Sequence, residues 1–302
     1  MKNLYKNTDI FRCVHESHKG FKNQISVYHI LKEKSCFPNG CIYFHWQCKQ
    51  LAKRSKCHRG YSYVGRKCSS CKDFYEEKIH NYPELQITSE EFQNFQRELS
   101  LFEDWLENVQ YKWIEFSARI VKIKPHFMQK IYPKSSFLSF HGYLMILNPA
   151  FLEWEHFEDP VYAQISAKYL HRLKLGRYSE IEGQGQVSID RGRLVVKRLK
   201  NIEIAEPGED PFWNEQKVLI SRETATEFPT QPEGCIGCEF GALVDVEYHR
   251  DQRSYKRRKL FCLKGMTDFR DCYIKSEYCG MDSEAHAKLD LACAEGKKIV
   301  MS

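Results

Sequence analysis

The sequence predicts a mainly β protein with some α structure: a five-stranded barrel flanked by two small cysteine-rich, metal-binding modules, with one amphipathic linker helix. Three observations predict it. The thirteen cysteines fall in two groups, Cys13 to Cys71 and Cys235 to Cys293, and the 163 residues between them contain none. Residues 116–205 alternate apolar and polar in short runs broken by turn residues, the habit of strands. Just before them, apolar residues recur every three or four positions, the habit of a helix with one buried face. With 302 residues and 42% hydrophobic content, the chain has ample material for a core.

The first module, residues 1–82, is rich in Cys, His, Lys and aromatics with little periodicity. Such a stretch has too thin a core to fold by burial and suits a metal staple. A disulfide scaffold would have no reason to leave the middle of the chain bare. The cysteines run Cys36-x4-Cys41-x6-Cys48-x8-Cys57-x10-Cys68-x2-Cys71, preceded by Cys13-x-His15-x2-His18. Two sites are expected, with Cys36, Cys41, Cys48 and Cys57 at one, and Cys13, Cys68 and Cys71 with His15 or His18 at the other. Four thiolates suit tetrahedral zinc, and the alternative is an iron–sulfur cluster, although no spacing matches a ferredoxin run. His29, His45, His58 and His80 read as surface or core residues.

Residues 83–115 read as the amphipathic helix. Thr88 and Glu91 stand at capping-box spacing, and Phe92, Phe95, Leu99, Phe102, Leu106, Val109 and Trp113 line one stripe. The stripe either packs on its own domain or makes a short seam for self-association or a protein partner through residues 92–113.

Residues 116–205 read as five strands and a helix. Strand one covers Ser117 to Lys124, ended by Pro125; strand two, Phe137 to Leu147; strand three, Val161 to Ser166. A helix from Ala167 to Leu175 is expected to end on a left-handed Gly176. Strand four, Tyr178 to Ile189, holds Gly183 and Gly185 where a bulge or sharp coil fits. A hairpin signal, Asp190-Arg191-Gly192, leads to strand five, Arg193 to Ile204. In element order this stretch resembles the oligonucleotide/oligosaccharide-binding (OB) barrel superfamily. The resemblance implies single strands bound by base stacking on aromatics of strands two and three, here Phe140 and Tyr143, with cations such as Lys197 along the groove.

Residues 206–234, with four prolines and seven acidic against two basic residues, read as a linker anchored by Trp213 and Val218-Leu219-Ile220. The last module, 235–302, opens on Gly234-Cys235-Ile236-Gly237-Cys238, continues through a strand from Ala242 to Tyr248 and a basic turn, and returns through Lys259 to Cys262, with Cys272 beyond. This order resembles a zinc ribbon, which implies Cys235, Cys238, Cys262 and Cys272 as ligands. The Cys262/Cys272 gap is wider than a ribbon's second pair, so Cys279 is the alternative fourth ligand and Cys293 a spare thiol.

Charge is segregated. Residues 1–80 carry 16 basic against 6 acidic side chains, and 81–115 carry 2 against 8. The turn after Tyr248 concentrates Arg250, Arg253, Tyr255, Lys256, Arg257, Arg258 and Lys259, a cationic finger suited to phosphates with a tyrosine to stack on a base. Phosphate-loop, metalloprotease and nucleophile-elbow motifs do not occur. No apolar run approaches the ~20 residues of a membrane helix, and the chain starts without an apolar leader, so a cytoplasmic protein is expected. The expectation is a non-enzymatic, zinc-stapled protein that binds nucleic acid, single-stranded DNA or RNA. Its alternative is an iron–sulfur electron carrier or accessory subunit.

Overall fold

The computed structural model describes residues 1–21, 23–250 and 253–272, without the side chains of 19–21, 233, 250 and 253. Cys279 and Cys293 lie outside the described residues. The N-terminal lobe contains β1 (Phe11–Arg12), β2 (Gln24–Ile25), β3 (Cys41–Cys48), β4 (Phe74–Asn81) and β5 (Glu84–Leu85), with a short α1 (Lys49–Ala52) after β3. β2, β1 and β5 make one small sheet. β3 and β4 pair only with each other, antiparallel, with Cys41 opposite Asn81 and Cys48 opposite Phe74.

The long helix α2 spans Ser89–Val109. Thr88 Oγ1 accepts from the Glu91 amide at 3.3 Å while Glu91 Oε2 accepts from the Thr88 amide at 2.8 Å, so the expected capping box is present. Thr88→Ala should cost about 1 kcal/mol, read as a shift of the denaturant midpoint without a change in slope. Phe95, Leu99, Phe102, Leu106 and Val109 are buried. The stripe is used within the chain: Phe102 lies 5.1 Å from Tyr5, Phe92 lies 6.0 Å from Phe11, and Trp105 lies 4.9 Å from Phe157. α2 therefore welds the N-terminal lobe to the central sheet, and the face considered for self-association is taken. Trp113 is not on this stripe. The helix stops at Val109, Tyr111 turns left-handed at φ 63°, and Trp113 opens the next strand with 44% exposure.

The central sheet is built from β6 (Trp113–Tyr132), β7 (Ser135–Leu152), β8 (Glu155–Phe157), β9 (Val161–Ile165), β10 (Glu180–Asp190) and β11 (Arg193–Glu206). Helix α3 (Ala167–Leu173) follows β9, α4 (Glu215–Thr224) follows β11, and after them come β12 (Thr226–Glu227), α5 (Glu233–Gly237), β13 (Gly241–Arg250) and β14 (Arg253–Cys262). The nine strands form one mixed sheet in the order β12-β14-β13-β6-β10-β11-β9-β7-β8, with a further β6–β7 pairing.

The five-stranded barrel expected from the sequence does not stand as a separate unit: its strands belong to one nine-stranded mixed sheet, which as a whole is not a closed barrel. The reason lies in the length of β6 and β7. β6 runs for 20 residues straight through Pro125, because a register shift between Pro125 and Phe127 removes the need for a proline N–H. Its first part, Trp113 to Arg119, pairs with β10, and its last part, Met128 to Ile131, pairs in parallel with β13. The C-terminal hairpin is therefore part of the central sheet and not a detached module.

Inside that sheet the pairings β6–β7, β7–β9, β9–β11, β11–β10 and β10–β6 return to their start. Residues including Ile120, Met145, Leu147, Val161, Ala163, Val187, Leu194 and Val196 are buried in the common core. The glycines of β10 sit at register shifts, as expected of bulges, and a Cβ on Gly185 would meet Val196 Cγ1 at 2.3 Å. The hairpin turn is tight, with φ 50° at Arg191 and 81° at Gly192. α3 ends earlier than expected. Lys174, at φ 52°, is its left-handed cap, and Gly176 serves instead to let Glu209 pass, since a Cβ there would lie 1.7 Å from the Glu209 carbonyl. The expected linker holds a helix, α4, with Trp213 and Val218 buried but Leu219 and Ile220 exposed.

Candidate metal centres and nucleic-acid interface

β3 decides how the N-terminal cysteines group. Cys41 and Cys48 occupy its two ends, and a seven-step extended strand separates them by about 23 Å. They cannot share an ion, so the grouping of Cys36 and Cys41 with Cys48 and Cys57 is wrong. Two other sets form. Cys48, Cys57, Cys68 and Cys71 line one small cavity together with Leu51 and Phe74. The Cys57 sulfur accepts from the Arg59 amide at 3.4 Å, and the Cys71 amide donates to the Cys68 carbonyl at 2.8 Å. His58, Cys71 and Asp73 bring their ligand atoms within 4.8 Å of one another at the same place.

Cys13, Cys36 and Cys41 gather at the opposite end of β3. The buried Asn81 side chain donates to the Cys13 sulfur at 3.0 Å and reaches the Cys41 sulfur at 3.9 Å. Burial pushes the Cys36 thiol above its ordinary range, and its neighbours Cys41 and Cys13 push it further. Cys13 therefore joins Cys36 and Cys41 rather than Cys68 and Cys71. Asn81 carried no signal in the sequence, because its role depends on the pairing that sets it opposite Cys41.

At the C-terminal hairpin, Cys235 packs against the cluster of Phe228, Leu260 and Cys262. Burial raises the Cys238 thiol, the Phe240 amide (3.4 Å to its sulfur) and Lys124 oppose that, and Cys262 and Cys272 raise it again. Cys262 and Cys272 thus lie close enough to Cys238 to act on its charge, but among the described residues these sulfurs do not form a group of three within 4.8 Å of one another. Lys124, 6% exposed, donates to the carbonyls of Ile236 at 2.6 Å and Gly241 at 2.8 Å, and Lys122 donates to the Gly237 carbonyl. Two lysines of β6 thereby hold the Cys235–Cys238 loop by its backbone. Burial, with Lys122 beside it, brings the Lys124 ammonium down to about 7 against the opposing charges of Glu239 and Cys238. Gly241 must be glycine, since a Cβ would strike the Cys235 carbonyl at 1.6 Å.

The cationic finger divides into residues tied into the fold and residues exposed to solvent. Arg258 bonds Asp245 at 3.0 and 2.8 Å and Asp190 at 2.8 Å, with its side chain 14% exposed. It ties β14 to β13 and to the β10–β11 turn, and is not available to phosphate. Lys259 is paired with Glu227. Lys256, Arg257 and Tyr255 are exposed, and the Arg257 guanidinium lies 5.5 Å from the centre of the Tyr255 ring. The backbones of Arg250 and Arg253 face each other at the tip.

The finger does not stand alone, because β13 pairs with the far end of β6. A four-stranded arm results, ordered β14-β13-β6-β7. Alternation places Lys130, Tyr132 and Phe137 with Lys256 on one face, and Tyr248, Tyr255 and Arg257 on the other. Tyr132 stacks on His249 at 4.7 Å and Tyr248 on Tyr255 at 4.7 Å. Phe137 is 60% exposed. Lys130, Tyr132 and Lys134 were missed in the sequence because β6 was expected to end at Pro125. Of the groove residues, Phe140 is half-buried against Phe127 and Tyr143, Lys197 is half-buried on β11, and Tyr143 is 1% exposed. The Tyr143 hydroxyl sits 3.2 Å from His171 Nε2, so its ring belongs to the core and offers no stacking face.

No helix among the described residues is long and apolar enough to cross a membrane. No protein-family model, curated protein or solved structure matches the chain.

Proposed function

We propose that the protein is a non-enzymatic, metal-stapled nucleic-acid-binding protein whose ligand is single-stranded DNA or RNA. The observation that carries this reading is the arm. Exposed aromatic rings and exposed cations, Phe137, Tyr132 and Lys130 with Tyr255, Lys256 and Arg257, share a four-stranded platform, with Lys256 at 4.0 Å from Glu247. Stacking on such rings tolerates any base, and the cations follow the phosphates. The cyclic pairing of β6, β7, β9, β11 and β10, with β9 and β11 parallel, supports an OB-type coil at the root of the arm. The cysteine sets at Cys48/Cys57/Cys68/Cys71, with His58 and Asp73 beside Cys71, and at Cys235/Cys238/Cys262/Cys272 offer donors that suit zinc, which would hold the flanks of that platform in place.

Fluorescence anisotropy with a single-stranded oligonucleotide tests the reading. Affinity should fall with rising salt by about 0.7 log units per log unit of salt for each phosphate neutralised. Phe137→Ala and Tyr255→Ala should each weaken binding by roughly 1–3 kcal/mol. Binding that is indifferent to salt and to both substitutions overturns the assignment. The same sulfur donors also suit an iron–sulfur cluster, so metal analysis of protein purified without oxygen belongs beside it. Zinc without acid-labile sulfide is the expected result; sulfide overturns zinc.

A further inference from the structure

Two histidines that neither cysteine set uses face each other in the N-terminal lobe. His18 lies in the 3-10 turn Glu16–Phe21, and His29 opens a π-helical turn, His29–Glu33. π turns are rare and concentrate at functional sites. The two Nε2 atoms are 3.2 Å apart. The Nδ1 atom of His29 lies 2.9 Å from Glu33 Oε2. A carboxylate only accepts, so neutral His29 carries its proton on Nδ1 and turns a bare lone pair on Nε2 toward His18.

His18 is 8% exposed, and its Nδ1 has no hydrogen-bond partner. With its proton on Nδ1, two lone pairs meet at 3.2 Å; with it on Nε2, a buried lone pair on Nδ1 is left bare. Neither tautomer satisfies the ring within the protein. A cation between the two Nε2 atoms turns their opposed lone pairs into ligands. Two imidazoles bound at 2.0–2.1 Å to a tetrahedral ion hold their nitrogens about 3.3 Å apart, close to the separation here. Glu33 then occupies the position of the outer carboxylate that orients a metal-bound histidine.

We infer that His18 and His29 bind a divalent transition-metal ion, zinc above all, at a site distinct from the two four-cysteine sets and from the Cys13/Cys36/Cys41 group. His15 is a neighbour and not a ligand in this arrangement. Its ring is 5.3 Å from that of His18, but its Nδ1 accepts from the Ser17 amide at 3.1 Å, which places its proton on Nε2. Water completes the coordination. Zinc fits the borderline imidazole donors, and cobalt is its spectroscopic substitute.

Cobalt titration of full-length protein whose cysteine sets are already filled with zinc tests the inference, whatever the fate of the nucleic-acid reading. The protein should take up one further equivalent, absorbing without a thiolate-to-cobalt charge-transfer band. His18→Ala and His29→Gln should abolish that equivalent, Glu33→Gln should weaken it about tenfold, and His45→Ala should leave it unchanged. Uptake unaltered in both His18→Ala and His29→Gln, or a further equivalent bearing the thiolate band, overturns the site. Should the histidine variants unfold, imidazole nitrogen resonances of the unsubstituted protein decide. Zinc should shift two Nε2 signals, and a spectrum unchanged by zinc sinks the proposal.

Discussion

On the proposed metal assignment, treatment with a strong chelator at neutral pH should unfold residues 41–81 while the central sheet stays folded. The ribbon of β3 and β4 has little else to hold it. Ile42 is 51% exposed, Phe44 57% and Trp46 38%, so one apolar face of β3 is left about half open to water. A two-stranded pair is at best marginal in water. The loop that follows, through Cys57 and Cys68, contains only single turns. Structural zinc contributes on the order of 10–16 kcal/mol in small domains, enough to decide whether such a segment orders. Hydrogen exchange with and without a strong chelator measures this. Amides of Tyr43 to Trp46 should lose protection, and those of Tyr143 to Leu147, in the buried sheet, should keep it. Full protection of β3 after every metal ion has been removed would end the idea that metal staples this lobe.

Neutralising Arg258 should destabilise the whole protein by roughly 3–5 kcal/mol, the cost of breaking a buried charged cluster by removing one member. Arg258→Met leaves Asp245 and Asp190 facing each other without their shared guanidinium. Arg257→Gln, one residue away and on the opposite face, should change stability by less than about 0.5 kcal/mol and instead lower the salt slope of nucleic-acid binding by about 0.7. Equilibrium denaturation and salt titration of the two variants separate the roles; equal effects of both on stability would remove the distinction. Acid should reproduce part of the Arg258 effect. Burial raises the Asp245 carboxyl, but the Arg258 hydrogen bond and charge outweigh it and hold the group below its ordinary value. Its contribution is therefore complete above the ordinary carboxylate range and is lost as pH falls through that range to the depressed value.

Much of the architecture was legible beforehand because it is local. The Thr88/Glu91 cap, the α2 stripe from Phe95 to Val109, the Asp190–Gly192 turn and the β10 bulges each depend on residues a few positions apart. The misreading of the sheet has one cause. In the sequence Pro125 reads as a strand end, whereas a bulge lets β6 pass through it, and that extension recruits β13, builds the arm and merges the C-terminal hairpin with the main sheet. Arg257 and Arg258 looked alike in a basic run, yet strand alternation sends one to solvent and the other to Asp190, 68 positions away.

What the sequence by itself determined is the inventory: thiols confined to the two ends, a helix of one buried face, strands of period two, and a basic hairpin tip. Tertiary structure alone decided which of these groups meet. Cys41 and Cys48 are seven residues apart in the chain and far apart in space, because an extended strand lies between them, while Cys13 and Cys41 are brought to the same Asn81. Spacing along a chain reports distance only where the local conformation is already known, and long-range pairing sets the rest.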